Sequence, residues 1–108
     1  MSDITTSFTP PMLSGTLIVP AHDCQYPPDV KANDLLRVDF DMRTVEADGL
    51  YLVEMLNPNG VAWRGCRRFQ KMPHLHMDMS GAGEWKPFSL EAQGMRVAGY
   101  VEQVYKPA

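Results

Sequence analysis

Apolar and polar residues alternate at short period over most of this chain, which is the pattern of strands rather than helices. Gly15-Thr16-Leu17-Ile18-Val19-Pro20 is a β-branched run stopped by proline, and Leu35-Leu36-Arg37-Val38-Asp39-Phe40 is a second such run. Residues 50–56 form a third. It ends at Asn57-Pro58-Asn59-Gly60, whose Asn-Gly step suits a hairpin turn into a fourth strand over 61–70. His74-Leu75-His76-Met77-Asp78-Met79 alternates strictly, which puts His74, His76 and Asp78 on one strand face. Residues 97–105 read as a last strand, with Gly99 marking a bulge or a close backbone approach. Nine prolines and eight glycines leave few windows long enough for three helical turns. Residues 1–12, rich in Ser and Thr and closed by Pro10-Pro11, read as a flexible N-terminal arm before a domain over 13–108. The expectation is a mainly β domain of five to seven short, mostly antiparallel strands in a small barrel-like arrangement.

Composition narrows the function classes. The chain has 108 residues, which fits one domain and leaves no room for a cofactor-binding domain with a second domain attached. No apolar run approaches the ~20 residues that span a bilayer, and no export signal is visible, so a cytoplasmic protein without a membrane partner is expected. The net charge of −3 argues against general nucleic-acid binding, which normally calls for a basic excess. Cys24 and Cys66 are too few for a disulfide framework and lack the paired spacing of a zinc site. They read as two reduced, partly buried thiols; a disulfide between them needs a geometry that sequence does not supply.

Three groups of residues could carry chemistry. His74, His76 and Asp78 could share a metal ion, although any strand with one wet face gives the same alternation and no second His/Cys cluster supplies further ligands. Arg64, Arg67, Arg68 and Lys71 are interleaved with Trp63 and Phe69, as a nucleic-acid reader would need. Cross-strand pairing with Glu54, Asp39, Asp41 and Asp34 explains the same charges at less cost. Cys24 and His22 could form a nucleophile and base pair if their side chains meet. Trp63, Trp85 and the methionines read as core residues. Nothing in the sequence calls for a cofactor.

The order of segments is more distinctive than any one of them. Cys24-Gln25-Tyr26-Pro27-Pro28 precedes Asn33-Asp34-Leu35-Leu36-Arg37-Val38-Asp39; then come Asp48-Gly49-Leu50-Tyr51-Leu52-Val53, Cys66-Arg67-Arg68-Phe69-Gln70-Lys71 and Val97-Ala98-Gly99-Tyr100-Val101. This series resembles the C-terminal domain of the LexA, UmuD and phage-repressor serine peptidases over residues 13 to 105. The resemblance implies a LexA/signal-peptidase-type β fold and a Ser-Lys dyad. Laid on this chain, the dyad positions fall on Gln25 and Arg67, or on Arg64 in an alternative register; Cys24 is a candidate displaced nucleophile.

An amide is no acyl-transfer nucleophile, and a guanidinium keeps its proton where a buried lysine can lose one. The family's self-cleavage bond, Ala-Gly or Cys-Gly, has no counterpart before the first strand, where Ser14-Gly15 stands. Asn33-Asp34 replaces the family's Gly-Asp, and asparagine tolerates the left-handed conformation such a turn favours. The resemblance therefore implies a catalytically inactive domain, dimeric through the edge of the 97–105 strand. Its partner would be a protein such as a repressor or polymerase, in a phage, plasmid or stress-response setting. A thiol-dependent hydrolase of the same fold and a metal-binding β-barrel are the alternatives.

Overall fold

A computed structural model describes residues 13–22, 24, 26, 29–71, 74–78 and 83–107. The arm expected over 1–12 and the dyad candidate Gln25 lie outside the described residues. Among the described residues the structure is all β, as the alternation leads one to expect, with seven strands in one antiparallel sheet. These are β1 (Thr16–Pro20), β2 (Leu35–Asp39), β3 (Gly49–Asn57), β4 (Gly60–Gln70), β5 (His76–Asp78), β6 (Trp85–Pro87) and β7 (Met95–Tyr105). Among the described residues no helix is long and apolar enough to cross a membrane.

The spatial order is β1-β2-β7-β3-β4-β5-β6. The sheet stays open: among the described residues β1 pairs only with β2 and β6 only with β5, and the three-residue β6 would have to meet β1 to close a barrel. The expected dimer contact through β7 also needs correcting. β7 lies inside the sheet with β2 on one side and β3 on the other, so both its edges are already hydrogen-bonded. Among the described residues the outer edges of the sheet belong to β1 and β6.

β3 takes the middle place, and five consecutive residues, Leu50 to Glu54, are buried. Such a strand is covered on both faces. Leu50 and Leu52 pack on one side with Leu36, Val38, Cys66 and Val101, under Ala21, Cys24, Tyr26 and Val30 of the β1–β2 connection. Tyr51 and Val53 pack on the other with Phe69, Met77 and Val97, under Val45, Phe88 and Leu90. Tyr51 meets Phe69 edge-on at 5.9 Å and Tyr100 at 5.1 Å. Its hydroxyl accepts from the amides of Glu46 and Ala47 and donates to the Ala47 carbonyl at 2.8 Å, which fastens the β2–β3 connection over the second core.

Two turn expectations meet different outcomes. Gly60 closes the β3–β4 hairpin with a positive φ of 130°, and the Asn59 amide donates to Asn57 Oδ1 at 2.8 Å. Asn33 is not left-handed, because among the described residues only glycines have positive φ. The Asp34 amide bonds the Lys31 carbonyl at 3.0 Å and the Asp34 carboxylate accepts the Lys31 amide at 2.9 Å, so the side chain closes that turn. The buried Asp34 carboxylate also takes the Lys106 ammonium, tying the turn to the end of β7.

Gly99 is a close-approach position, as its place in a strand suggests. A Cβ there would stand 2.5 Å from Val38 Cγ1 and 2.9 Å from the Asp39 carbonyl oxygen. Backbone cannot yield as a flexible side chain does, so Gly99→Ala should cost ~2 kcal/mol or more, read as a lower urea midpoint with unchanged slope.

The Lys106 hydrogen bond, followed by that of the Lys31 amide, holds the Asp34 carboxyl below its ordinary pKa. A lowered folded-state pKa means that this stabilisation is present above the ordinary carboxyl value and is lost as pH falls through the lowered one. Asp34→Asn should therefore reduce the melting temperature at about pH 7, and the gap to wild type should close below about pH 4 in a series of thermal melts.

Candidate functional site

The side chains of β4 divide between the two faces of the sheet. Arg64, Cys66 and Arg68 point toward the first core, and Trp63, Gly65, Arg67 and Phe69 toward the second. On the first face a cavity of about 240 Å³ opens beside the β1–β2 connection. Val19, Phe40, Leu52 and Ala98 give it apolar walls; His22, Cys24, Glu54, Arg64 and Arg96 supply its polar groups. Two other depressions lie toward the opposite face, one including His74 and the other Trp63 and Arg67.

The polar end of the cavity is a carboxylate held from two sides. Glu54 on central β3 is directly opposite Arg64 of β4 and Arg96 of β7. Arg64 donates from Nε at 3.0 Å and Nη2 at 2.9 Å to Glu54 Oε2. Arg96 donates from Nε at 2.8 Å and approaches with Nη2 at 2.7 Å, both to Oε1. The Glu54 side chain is 8% exposed, Arg96 17% and Arg64 41%, so the group reaches from the interior to the cavity mouth. Each carboxylate oxygen receives one guanidinium, and charge-assisted bonds of this kind offset the desolvation of a buried acid.

Both pairings depend on β-bulges. Counting back from the turn pair Asn57 and Gly60, an unbroken ladder would set Glu54 against Trp63. The register shift between Met55 and Leu56 leaves Ala62 as the extra residue and moves Arg64 into place. On the other side Leu52 pairs with Gly99 and Val53 with Val97, leaving Ala98 as the extra residue and setting Arg96 opposite Glu54.

Cys24 and Cys66 meet across the first core. Cys24 follows a turn in which its amide donates to the Ala21 carbonyl at 2.8 Å, and it lines the cavity together with His22. Cys66 lies wholly buried on β4 opposite Leu52. Neither is in a disulfide. The hydrogen bond to Cys24, and after it burial, push the Cys66 thiol far above its ordinary pKa.

The remaining sequence candidates disperse. Arg67 lies 4.9 Å above the Trp63 ring and 5.9 Å from the Tyr26 ring, and its Nη1 donates to the Cys66 carbonyl at 2.7 Å. Gly65 makes room for that ring: a Cβ there would fall 2.5 Å from Trp63 Cζ2. Arg68 pairs with Asp29 at 2.9 Å. The basic run thus splits between two faces, and Phe69 is fully buried.

His74 precedes β5, with its carbonyl 2.8 Å from His76 Nδ1. The Asp78 carboxylate turns to the amides of Gly83 and Glu84, at 3.0 and 3.1 Å. Among the described residues no three His, Cys, Asp or Glu side chains gather into a metal-sized group. Tyr26 donates to the Asp78 carbonyl at 3.4 Å, and burial followed by the Asp78 charge raises its phenol to about 12.

Arg96 is the site residue that sequence reasoning missed. It meets Glu54 across 42 residues of chain, through a strand whose place in the sheet no local pattern announces. Removing the shared acid leaves two arginines facing each other across β3. Glu54→Ala should cost ~3 kcal/mol, and Arg64→Ala, at the solvent end, about 1 kcal/mol or less, both measured by urea unfolding. Comparison with protein-family models, curated proteins and solved structures finds no match to this chain.

Proposed function

We propose that this chain is a catalytically inactive relative of the LexA/UmuD peptidase domains that works as a protein-interaction module. The observation that carries the reading is the state of Arg64. Where the family places a lysine that must be neutral to accept a proton, this chain has a guanidinium held by two hydrogen bonds to Glu54. Such a group cannot serve as a base. Arg64 fits the base position better than Arg67, because it shares the cavity with Cys24 whereas Arg67 stacks on the other face.

With Arg64 in the lysine's place, the family's D-S-M-x-P also fits Asp23-Cys24-Gln25-Tyr26-Pro27, with Cys24 at the serine and proline matched to proline. A partner, whether a second copy or a repressor or polymerase, would meet a free edge of the sheet. β1 offers one, with Leu17 and Ile18 exposed along it.

A thiol-dependent hydrolase is the second reading, favoured by the presence of His22 and Cys24 on one cavity wall. The two separate in one experiment. Full-length protein is held for days at alkaline pH, alone and with a supplied Ala-Gly peptide, and followed by intact mass. The inactive reading expects both to stay whole. Cleavage by the native protein that disappears in Cys24→Ala would overturn it.

A further inference from the structure

We infer that Cys24 and Cys66 are a peroxide-reactive thiol pair, in which Cys24 is oxidised first at the cavity and Cys66 resolves it to an intramolecular disulfide. This goes beyond the interaction reading and does not depend on it. Three observations lead here. The two thiols lie together in the buried cluster of the first core, near enough for Cys24 to perturb the Cys66 thiol, and neither is in a disulfide. Their surroundings are asymmetric. Cys24 lines a cavity large enough for a small hydroperoxide, whereas Cys66 is sealed within the core beside it. The cavity also holds two arginines against one glutamate, a local excess of positive charge that favours a thiolate over a thiol. His22 stands on the same wall.

The neighbouring Cys24, and after it burial, raise the Cys66 thiol above its ordinary pKa, so Cys66 is not the thiol that reacts first. A buried thiol alone would be inert; here the buried one is only the second to react.

The chemistry balances with a hydroperoxide, ROOH, as the oxidant. The Cys24 thiolate attacks the terminal peroxide oxygen, the O–O bond breaks, and the departing alkoxide takes up a proton to leave as ROH. Cys24 is then a sulfenic acid. The Cys66 sulfur attacks the Cys24 sulfur, the S–O bond breaks, and hydroxide leaves with the Cys66 proton as water. Two thiols lose two electrons and the peroxide gains them. Closing the bond brings the two sulfurs to ~2 Å, a movement that Cys24 has to supply, since Cys66 is fixed mid-strand. The bond then draws Cys24 from the cavity wall toward the sheet and ties residue 24 to residue 66.

The test uses reduced, folded, full-length protein and hydrogen peroxide. The expected product is a monomer lighter by two hydrogen atoms, with peptide mapping that links Cys24 to Cys66, and dithiothreitol restores the starting mass. Its melting temperature should rise by ~10 °C or more, because the cross-link constrains a long loop in the unfolded chain. Cys66→Ser should stop at a Cys24 sulfenic acid that dimedone traps, whereas Cys24→Ser should leave Cys66 unmodified. If either variant fails to fold, the order of iodoacetamide labelling in the reduced wild type decides, with Cys24 expected first. Linkage only between two copies, sulfenic acid at Cys66, or an unchanged mass under peroxide would each overturn the inference.

Discussion

A carboxylate in the middle strand of a sheet has neighbours on both sides, and burial obliges both to compensate it. Glu54 meets that condition through Arg64 on β4 and Arg96 on β7, so one acid sets the alignment of three strands. A slip of one residue in either ladder would turn an arginine to the opposite face and leave the acid half-paired in the interior. The same register puts Cys66, two residues beyond Arg64, on the cavity face of β4. It sends Trp63, Gly65 and Arg67 to the far side, where the indole, the bare backbone and the guanidinium stack. The cavity, the thiol contact and the cation–aromatic stack are therefore consequences of a single alignment.

That alignment is not the one a regular hairpin would give. Ala62 and Ala98 are each the extra residue of a bulge, and each shifts an arginine by one position so that it faces Glu54. Alanine suits both places, since the extra residue of a bulge has no cross-strand partner and a small side chain asks for none. Next to the second bulge, Gly99 lets β7 pass against Val38 and the Asp39 carbonyl at a distance that no Cβ would allow. Electrostatic demand at Glu54 and steric room at Gly99 act on neighbouring stretches of the same strand.

Local pattern carried much of this fold. The runs at 16–20, 35–39 and 50–56, the Asn-Gly hairpin and the 97–105 strand are all legible, because alternation and turn chemistry act over a few residues. What failed to show was decided at long range. β6 is three residues with a proline, too short to leave a periodic trace, and its pairing with β5 defines it. The final strand reads as an edge because nothing local says that β2 and β3 will part to admit it. The Asn33 turn obeys its neighbour: the Asp34 carboxylate caps it without a left-handed residue. Glu54 was legible as a charge partner, but the bulges hid which arginine it would meet and left Arg96 unsuspected.

On the proposed reading, an arginine at the base position has two effects that pull the chemistry in opposite directions. A buried lysine can surrender its charge, and in that state it draws a proton from a neighbouring nucleophile. An arginine keeps its charge and accepts no proton, and the Glu54 pairing fixes the guanidinium in place as well. A fixed cation is not chemically silent beside a thiol, however. It favours an anion in the cavity it lines, and Cys24 is among the groups that line the same cavity. Acyl transfer needs a base that cycles its proton at each turnover, whereas oxidation of a thiolate needs only that the anion be present when peroxide arrives. A guanidinium at this place therefore excludes the first chemistry and, on the proposed reading, leaves the conditions for the second.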